Sequence, residues 1–384
     1  MLESLVAFSK LLFEATDFNK RVLLEFMKIG IVTGGGDCPG LNAVIRAVAK
    51  TATKRGWETI GIIGGYDGLL EPQNVRVLDY KALDGLLVRG GTILGTANRG
   101  QFCAKTGHGE TRRLPKELLD ATKRGMEQLG IKALVAVGGD GSLTIAEQMH
   151  EHGIPIVGVP KTIDNDLAAT TVTFGFDSAV ACATDALDRL HTTAESHGRV
   201  LVLEVMGRYA GWIAIYAGVA GGADVILMPE IPFKYESIVD AVAARDRAGK
   251  HFTLVVAAEG AKPAGGDFVT SGAQQLNREA RLGGIGAIVA GEIEKRTGKE
   301  TRVVVLGHLQ RGGSPTTMDR VLCTLFGAHA VDLIAERRFG RMVAHNGKSV
   351  ESVPLKEAIK SLRTVPLDGG FVRAARALGI SLGD

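Results

Sequence analysis

Residues able to do chemistry gather in a few short segments. PKTIDND, residues 160–166, carries Asp164 and Asp166 two positions apart, with Lys161 and Thr162 beside them. If the segment runs extended, side chains two apart face the same way, and both acids would meet one substrate. One would serve as general base, the other as an orienting or metal partner. An ordinary Asx-rich turn is the bland alternative. VGGDGSLT, residues 137–144, sets Asp140 between glycines. There a carboxylate can hold a hydrated Mg²⁺ carried with substrate phosphates, or merely cap a helix. GGGDCPGLNAVIR, residues 34–46, offers successive glycines ahead of a helix, so that backbone N–H groups and the helix dipole can close on phosphate oxygens. It is neither a GxGxxG unit with a ribose acid nor a GxxxxGK[ST] loop, and such a turn is equally a structural device.

Cations come later in the chain. Arg199 opens RVLVLEVMG, Arg208 lies in MGRYAGW, and Arg302, His308 and Arg311 lie in RVVVLGHLQRGGSP. Each alone reads as a solvated or structural side chain. At strand ends of one sheet they form a candidate clamp for a phosphate monoester. Glu259, closing FTLVVAAEG, could accept hydrogen bonds from sugar hydroxyls.

The elements that must position these groups are readable as alternating runs. KIGIVT, GWETIGII, ALVAVGG, IPIVGVP, RVLVLEVMG, ADVILMPE, FTLVVAAEG and RVVVLGH are short, apolar and bounded by Gly or Pro, the pattern of strands buried on both faces. LNAVIRAVAKTATKRG, SLTIAEQMHEHG and FDSAVACATDALDRLHTTAESHG read as helices between them. This alternation predicts βαβ units, hence an α/β fold of two Rossmann-like three-layer domains with parallel-rich sheets. Ligands of such sheets bind beyond the carboxyl ends of the strands, and that is where the chemical segments fall. The second sheet is expected to begin around the helix at Phe176, with the active site in the cleft between the two.

Bulk properties agree with this and exclude other classes. At 384 residues, 45% hydrophobic, 23% charged and 5% aromatic, the chain can bury sizeable cores without disulfides. The 51 glycines suit many tight turns where backbone approaches a ligand. A net charge of +3 lacks the concentrated basic face that nucleic acid requires. Cys38, Cys103, Cys182 and Cys323 lie far apart with no CxxC pair, which points to a reducing, cytoplasmic setting. No apolar run approaches the roughly 18 residues of a membrane span. Residues 1–26 resemble a signal only superficially, since Glu3 sits where positive charge belongs and no small-residue cleavage site follows. They read as an amphipathic extension or, preferably, as an artefact of start assignment with translation beginning at Met27.

GGGDCPGLNAVIR, GGDGS, PKTIDND, EVMGRYAGW and LGHLQRGGSP, in this order, closely resemble the motifs of the phosphofructokinase family, from about Met27 to the C-terminus. The resemblance implies that ATP donates a phosphoryl group to the 1-hydroxyl of fructose 6-phosphate, with Mg²⁺. The donor side would lie in residues 27–174 plus about 309–350, and the sugar phosphate in 175–308 plus about 351–384. Asp164 would be the base, Thr162 and Asp166 would place the hydroxyl and the metal–phosphate group, and Asp140 would be the Mg²⁺ site. Gly36, Tyr66, Gly141 and Ser142 would line the donor pocket. Met206, Gly207, Arg208, Glu259, His308 and Arg311 would hold the sugar phosphate. Residues matching Arg199 and Arg302 reach in from a neighbouring subunit, which implies a homodimer or homotetramer with shared active sites.

Three departures from the family's usual pattern stand out. Pyrophosphate-using members typically carry Asp at the Gly141 position and Lys at the Lys161 position, whereas bacterial ATP users carry Gly at both. An Asp would crowd and repel the α-phosphate of ATP, so Gly141 favours ATP over the pyrophosphate alternative. The ATP-contacting Arg is replaced at Asn98, with Arg99 following. Effector positions are traceable only at Arg46 and Lys50. A lipid or NAD kinase would share the GGDG turn but lacks PKTIDND and LGHLQRGGSP, a dehydrogenase lacks its fingerprint, and a catalytically dead subunit would lose carboxylates that are intact here.

Overall fold

The computed structural model describes residues 27–97, 100–105, 111–270 and 282–384. In chain order the elements are β1 (Lys28–Thr33), α1 (Leu41–Lys54), β2 (Glu58–Ile62), β3 (Val75–Val77), α2 (Lys116–Leu129), β4 (Ile131–Gly138), α3 (Asp140–Glu151) and β5 (Ile156–Pro160). Then follow α4 (Phe176–His197), β6 (Val200–Val205), α5 (Trp212–Ala220), β7 (Val225–Leu227), α6 (Tyr235–Arg247), β8 (Thr253–Ala258), α7 (Ile285–Thr297) and β9 (Thr301–Val305). α8 (Thr317–Ala335), β10 (Arg341–His345), β11 (Val350–Pro354), α9 (Leu355–Ala358) and α10 (Gly370–Ala377) complete the described fold. All eight strands expected from the apolar runs form. β3, β10 and β11 are additional; half-exposed residues break the apolar signal of β3 and β11, while the buried apolar stretch of β10 is only residues 342–344, flanked by Arg341 and His345.

The strands make a seven-stranded sheet in the order β11-β10-β5-β4-β1-β2-β3 and a four-stranded sheet in the order β7-β8-β6-β9. The smaller sheet is parallel throughout, while the larger is parallel except at its edges, β3 and β11. Every residue of β6 and β8 is buried, as a sheet covered by helices on both faces requires. β1 sits between β2 and β4, so the chain leaves it in opposite directions and opens a crevice at the carboxyl ends of β1 and β4. β11 and α9 stay with the larger sheet, Leu355 and Ala358 packing with Leu143 and Met342. Near its end the chain meets the smaller sheet again, where Ser381 bridges Val225 of β7.

One apolar cluster runs through both sheets, from Ile29 and Val135 by way of Phe174, Phe326 and Leu187 to Leu203 and Val256. Within it α1 and α8 approach closely at Gly327, where a Cβ would stand 2.6 Å from that of Ala47. The same α8 ties the halves by a polar contact. Buried Asp319 accepts hydrogen bonds from Gly175 N (3.0 Å), Ser178 N (2.9 Å) and Ser178 Oγ (2.6 Å) at the start of α4. Burial is the main cause that lifts its carboxyl to about 6. Asp319→Ala would strand those buried donors, at about 1–3 kcal/mol for each group left unmet; an unfolding free energy from urea titration lowered by about 3 kcal/mol or more is the expected result.

Candidate active site

Each chemical segment follows the carboxyl end of a parallel strand, and the two sheets bring these ends together. After β1, Gly34 N donates to Val137 O at 2.9 Å, joining the glycine loop to the end of β4. After β4, α3 starts at Asp140 itself with Gly139 as its N-cap. The Asp140 side chain does not cap the helix; it pairs with Lys105 Nζ. Ser142 packs beneath Gly34, whose Cβ would fall 2.6 Å from Ser142 Oγ, and Tyr66 Oη donates to Ser142 O at 2.8 Å. Burial raises the Tyr66 phenol, so it stays protonated and serves as this donor. Asn98 and Arg99 lie outside the described residues, although the segment leading to them rests on the glycine loop, Gly35 N donating to Ala97 O at 3.4 Å.

After β5 the PKTIDND segment turns at Ile163 and Asp164 instead of running extended. Asp164 N donates to Thr162 Oγ1 at 3.1 Å and Thr162 Oγ1 donates to Asp166 Oδ1 at 3.1 Å. The threonine hydroxyl thus knits both acids into one site, which the two-residue spacing alone would have done in a strand. Asn165, between them, holds φ +52°, a left-handed conformation that Asn tolerates better than most residues. Its Oδ1 accepts Thr173 N at 3.0 Å, and Thr173 Oγ1 donates to Thr162 O at 2.7 Å.

The electrostatics centre on Asp164. Its Oδ1 is buried without a hydrogen-bond partner. Desolvation raises its carboxyl, against the pull of Arg311, Lys161 and Arg208. Asp166 is lifted to about 7, first by burial and then by Asp164. Glu259 also stands at about 7, by burial and again Asp164. Lys161 is buried, its Nζ donates to Gly36 O, and desolvation lowers its ammonium.

From the smaller sheet come Met206, Gly207 and Arg208 after β6, Glu259 after β8, and His308 and Arg311 after β9. Arg311 crosses to the glycine loop and donates from Nη1 to Asp37 O at 3.1 Å. A Cβ on Gly36 would meet that nitrogen at 2.8 Å. Gln310, unnoticed in the sequence although inside LGHLQRGGSP, is buried and accepts Met206 N at 2.7 Å. His308 is exposed on a short 3-10 turn, Gly307–Arg311, and lines a cavity of about 830 Å³ with Ser178, Cys182 and Leu309.

Arg199 and Arg302 are not brought to this site. They sit at the amino ends of β6 and β9 and both pair with Glu300, Arg199 Nε at 2.7 Å from Oε2. A six-residue strand separates Arg199 from Met206, about 20 Å at 3.3 Å per residue.

Among the described residues, no group of three or more His, Cys, Asp or Glu could hold a metal by itself. A hydrated Mg²⁺ needs only one or two carboxylates besides substrate phosphates, and Asp140 with Asp166, which feel each other's charge, fit that need. No helix among the described residues is long and apolar enough to cross a membrane.

A carboxylate set among cations, opposite glycine turns able to receive phosphates, suits an enzyme that transfers phosphoryl groups between bound partners. Residues 28–334 match the family model described as Phosphofructokinase, and the chain belongs to that family. An ATP-dependent 6-phosphofructokinase from Chloroflexus aurantiacus is 53% identical over 362 residues, covering 93% of this chain and 98% of its own. A pyrophosphate–fructose 6-phosphate 1-phosphotransferase from Amycolatopsis methanolica is 49% identical over 342 residues, covering 88% and 96%. The solved phosphofructokinase of Saccharomyces cerevisiae matches with a TM-score of 0.76 at 30% identity over 87% of this chain, which spans only 45% of the yeast chain.

Lys161→Met removes a cation that favours the ionised form of Asp164. If the reaction needs that carboxylate ionised, the acid limb of the kcat/KM–pH profile moves to higher pH. An unmoved limb would show that Lys161 does not tune the group that titrates.

Proposed function

We propose that this chain transfers the terminal phosphoryl group of ATP to the 1-hydroxyl of fructose 6-phosphate, as an ATP-dependent 6-phosphofructokinase of cytoplasmic glycolysis. The observation that carries the reading is Asp164, a half-buried carboxylate whose Oδ1 is buried and unpartnered, held among Arg311, Lys161 and Arg208.

In this mechanism Asp164 takes the proton of the sugar 1-hydroxyl as the phosphoryl group is transferred. Thr162, already bonded to both acids, and Asp166 orient that hydroxyl. Met206, Gly207, Arg208, Glu259, His308 and Arg311 hold the sugar phosphate. Gly36, Tyr66, Gly141, Ser142 and Lys161 line the donor side, with Asn98 and Arg99 as further donor contacts. Asp140 would hold Mg²⁺, which neutralises charge spreading over the transferred phosphate. The Lys105 amine now against Asp140 supports a cation at that carboxylate. Positioning and charge neutralisation do most of the work in such transfers, and the base adds about 10²–10⁴ in rate.

Two further assignments belong to this reading. The donor binds against the larger sheet and the sugar phosphate against the smaller. Arg199 and Arg302, remote from their own chain's cleft, serve the cleft of a neighbouring subunit in a homodimer or homotetramer.

Gly141 carries the choice of donor. A Cβ there would meet nothing within 4 Å, so the fold would accept Asp and its absence leaves that space to ATP. Lys161 and the Amycolatopsis relative favour pyrophosphate as the second reading. Parallel assays of fructose 1,6-bisphosphate formation with each donor decide between them, and activity with neither would overturn both. Asp164→Asn is expected to lower kcat at least about 10²-fold with fructose 6-phosphate still bound; near-normal turnover would remove Asp164 from the role. Gly141→Asp should cost ATP at least about tenfold in kcat/KM, about 1.4 kcal/mol, while sparing pyrophosphate. Equal losses with both donors would mean that residue 141 does not set the preference.

A further inference from the structure

The C-terminal segment, which carries none of the family-like motifs, reaches back to the turn that bears the acids. Leu362 bridges Leu167 in antiparallel fashion, and Arg363 N donates to Asp166 O at 2.8 Å. The Arg363 guanidinium donates from Nη2 to Asn165 O at 2.8 Å, and thus grips the residue whose left-handed backbone separates Asp164 from Asp166. The same guanidinium lies 4.5 Å over the Trp212 ring, while Trp212 Nε1 donates to Arg363 O at 2.9 Å. Trp212 opens α5, four residues beyond Arg208. Just beside it, Glu230 Oε1 accepts both Gly211 N (3.0 Å) and Val365 N (2.8 Å). Arg363 thus joins the acid-bearing turn of the larger sheet to the loop that follows β6 in the smaller.

We propose that Arg363 is a positioning residue for phosphoryl transfer, a latch that fixes the Asn165 peptide and thereby the directions of the Asp164 and Asp166 carboxylates relative to the sugar-binding loop. The proposal rests on the reading of Asp164 as base. Its physical basis is threefold. A left-handed non-glycine residue at a functional turn persists only where its surroundings hold it. The bond from a charged guanidinium to a carbonyl is among the stronger hydrogen bonds. A cation over an indole face in a partly desolvated setting adds to it. Arg363 Nε is buried without a hydrogen-bond partner, so the guanidinium sits where the indole and the Asn165 carbonyl dictate, not where all its donors would be met. Lysine carries the charge but not the planar fork, and should replace it only in part.

The test separates orientation from binding and from folding. Arg363→Ala is expected to lower kcat about 10²-fold, the usual result of displacing a reacting group by about 1 Å. The KM values for fructose 6-phosphate and ATP should stay within about threefold, since the residue touches neither. Arg363→Lys should recover part of kcat, and Trp212→Phe, which keeps an aromatic face but loses the Nε1 bond, should fall between Arg363→Ala and the parent. Urea midpoints and the folded fraction under assay conditions are measured for each variant. A kcat within about threefold of the parent, or a loss that only tracks the unfolded fraction, overturns the proposal. Asp164→Asn assayed alongside distinguishes the two failures. A normal Arg363→Ala with a dead Asp164→Asn removes the latch alone, whereas an active Asp164→Asn removes the base and the latch with it.

Discussion

Desolvation and charge pull Asp164 in opposite directions, and much of the structure maintains that balance. Burial would leave the carboxyl protonated; Arg311, Lys161 and Arg208 oppose this from three separate segments. A group held so can take a proton without being neutralised by a permanent salt bridge, since one oxygen is left without a partner. The cations are themselves occupied. Lys161 donates to the Gly36 carbonyl and Arg311 to that of Asp37, so the charges that tune the acid also hold the glycine loop. One set of contacts therefore couples the ionisation of Asp164 to loop shape.

That balance depends on the two sheets meeting end to end. The parallel strands direct their carboxyl ends, and the loops that follow, toward a shared cleft. The single apolar cluster running from Ile29 to Val256 and the Asp319 contacts at the head of α4 hold the ends in register. The glycines act at specific points. Gly36 leaves room for the Arg311 guanidinium, and at Gly141 a Cβ would meet nothing within 4 Å. The role of Gly36 needs no unusual backbone conformation, only the absence of a side chain.

Much of this was legible in the chain itself. Continuous apolar runs mark strands, and all eight such runs became strands, although β9, at the edge of the smaller sheet, is only partly buried. β3 and β11 escaped because as edge strands they are half exposed and carry no such run; β10 lies inside the sheet but has only the three apolar residues Met342, Val343 and Ala344 between Arg341 and His345. The extended form considered for PKTIDND failed for a local reason, because Thr162 Oγ1 accepts the Asp164 amide and closes a turn. Arg199 and Arg302 look alike in sequence to Arg208 and Arg311, all beside strands, but lie at the amino ends and pair with Glu300. Which end of a strand a residue flanks was readable; what distance that puts between it and the cleft took the assembled sheet.

Residue types and short-range order by themselves determined the α/β class and the family, because glycine turns, acid spacing and apolar period are local properties. Tertiary structure decided the rest. The desolvation of the Asp164 carboxyl, the crossing of Arg311 to the glycine loop, the service of Gln310 to Met206 and the reach of Arg363 to Asn165 join positions far apart in the chain. No local pattern marks such partners, since desolvation and cross-sheet hydrogen bonds exist only once the sheets have packed.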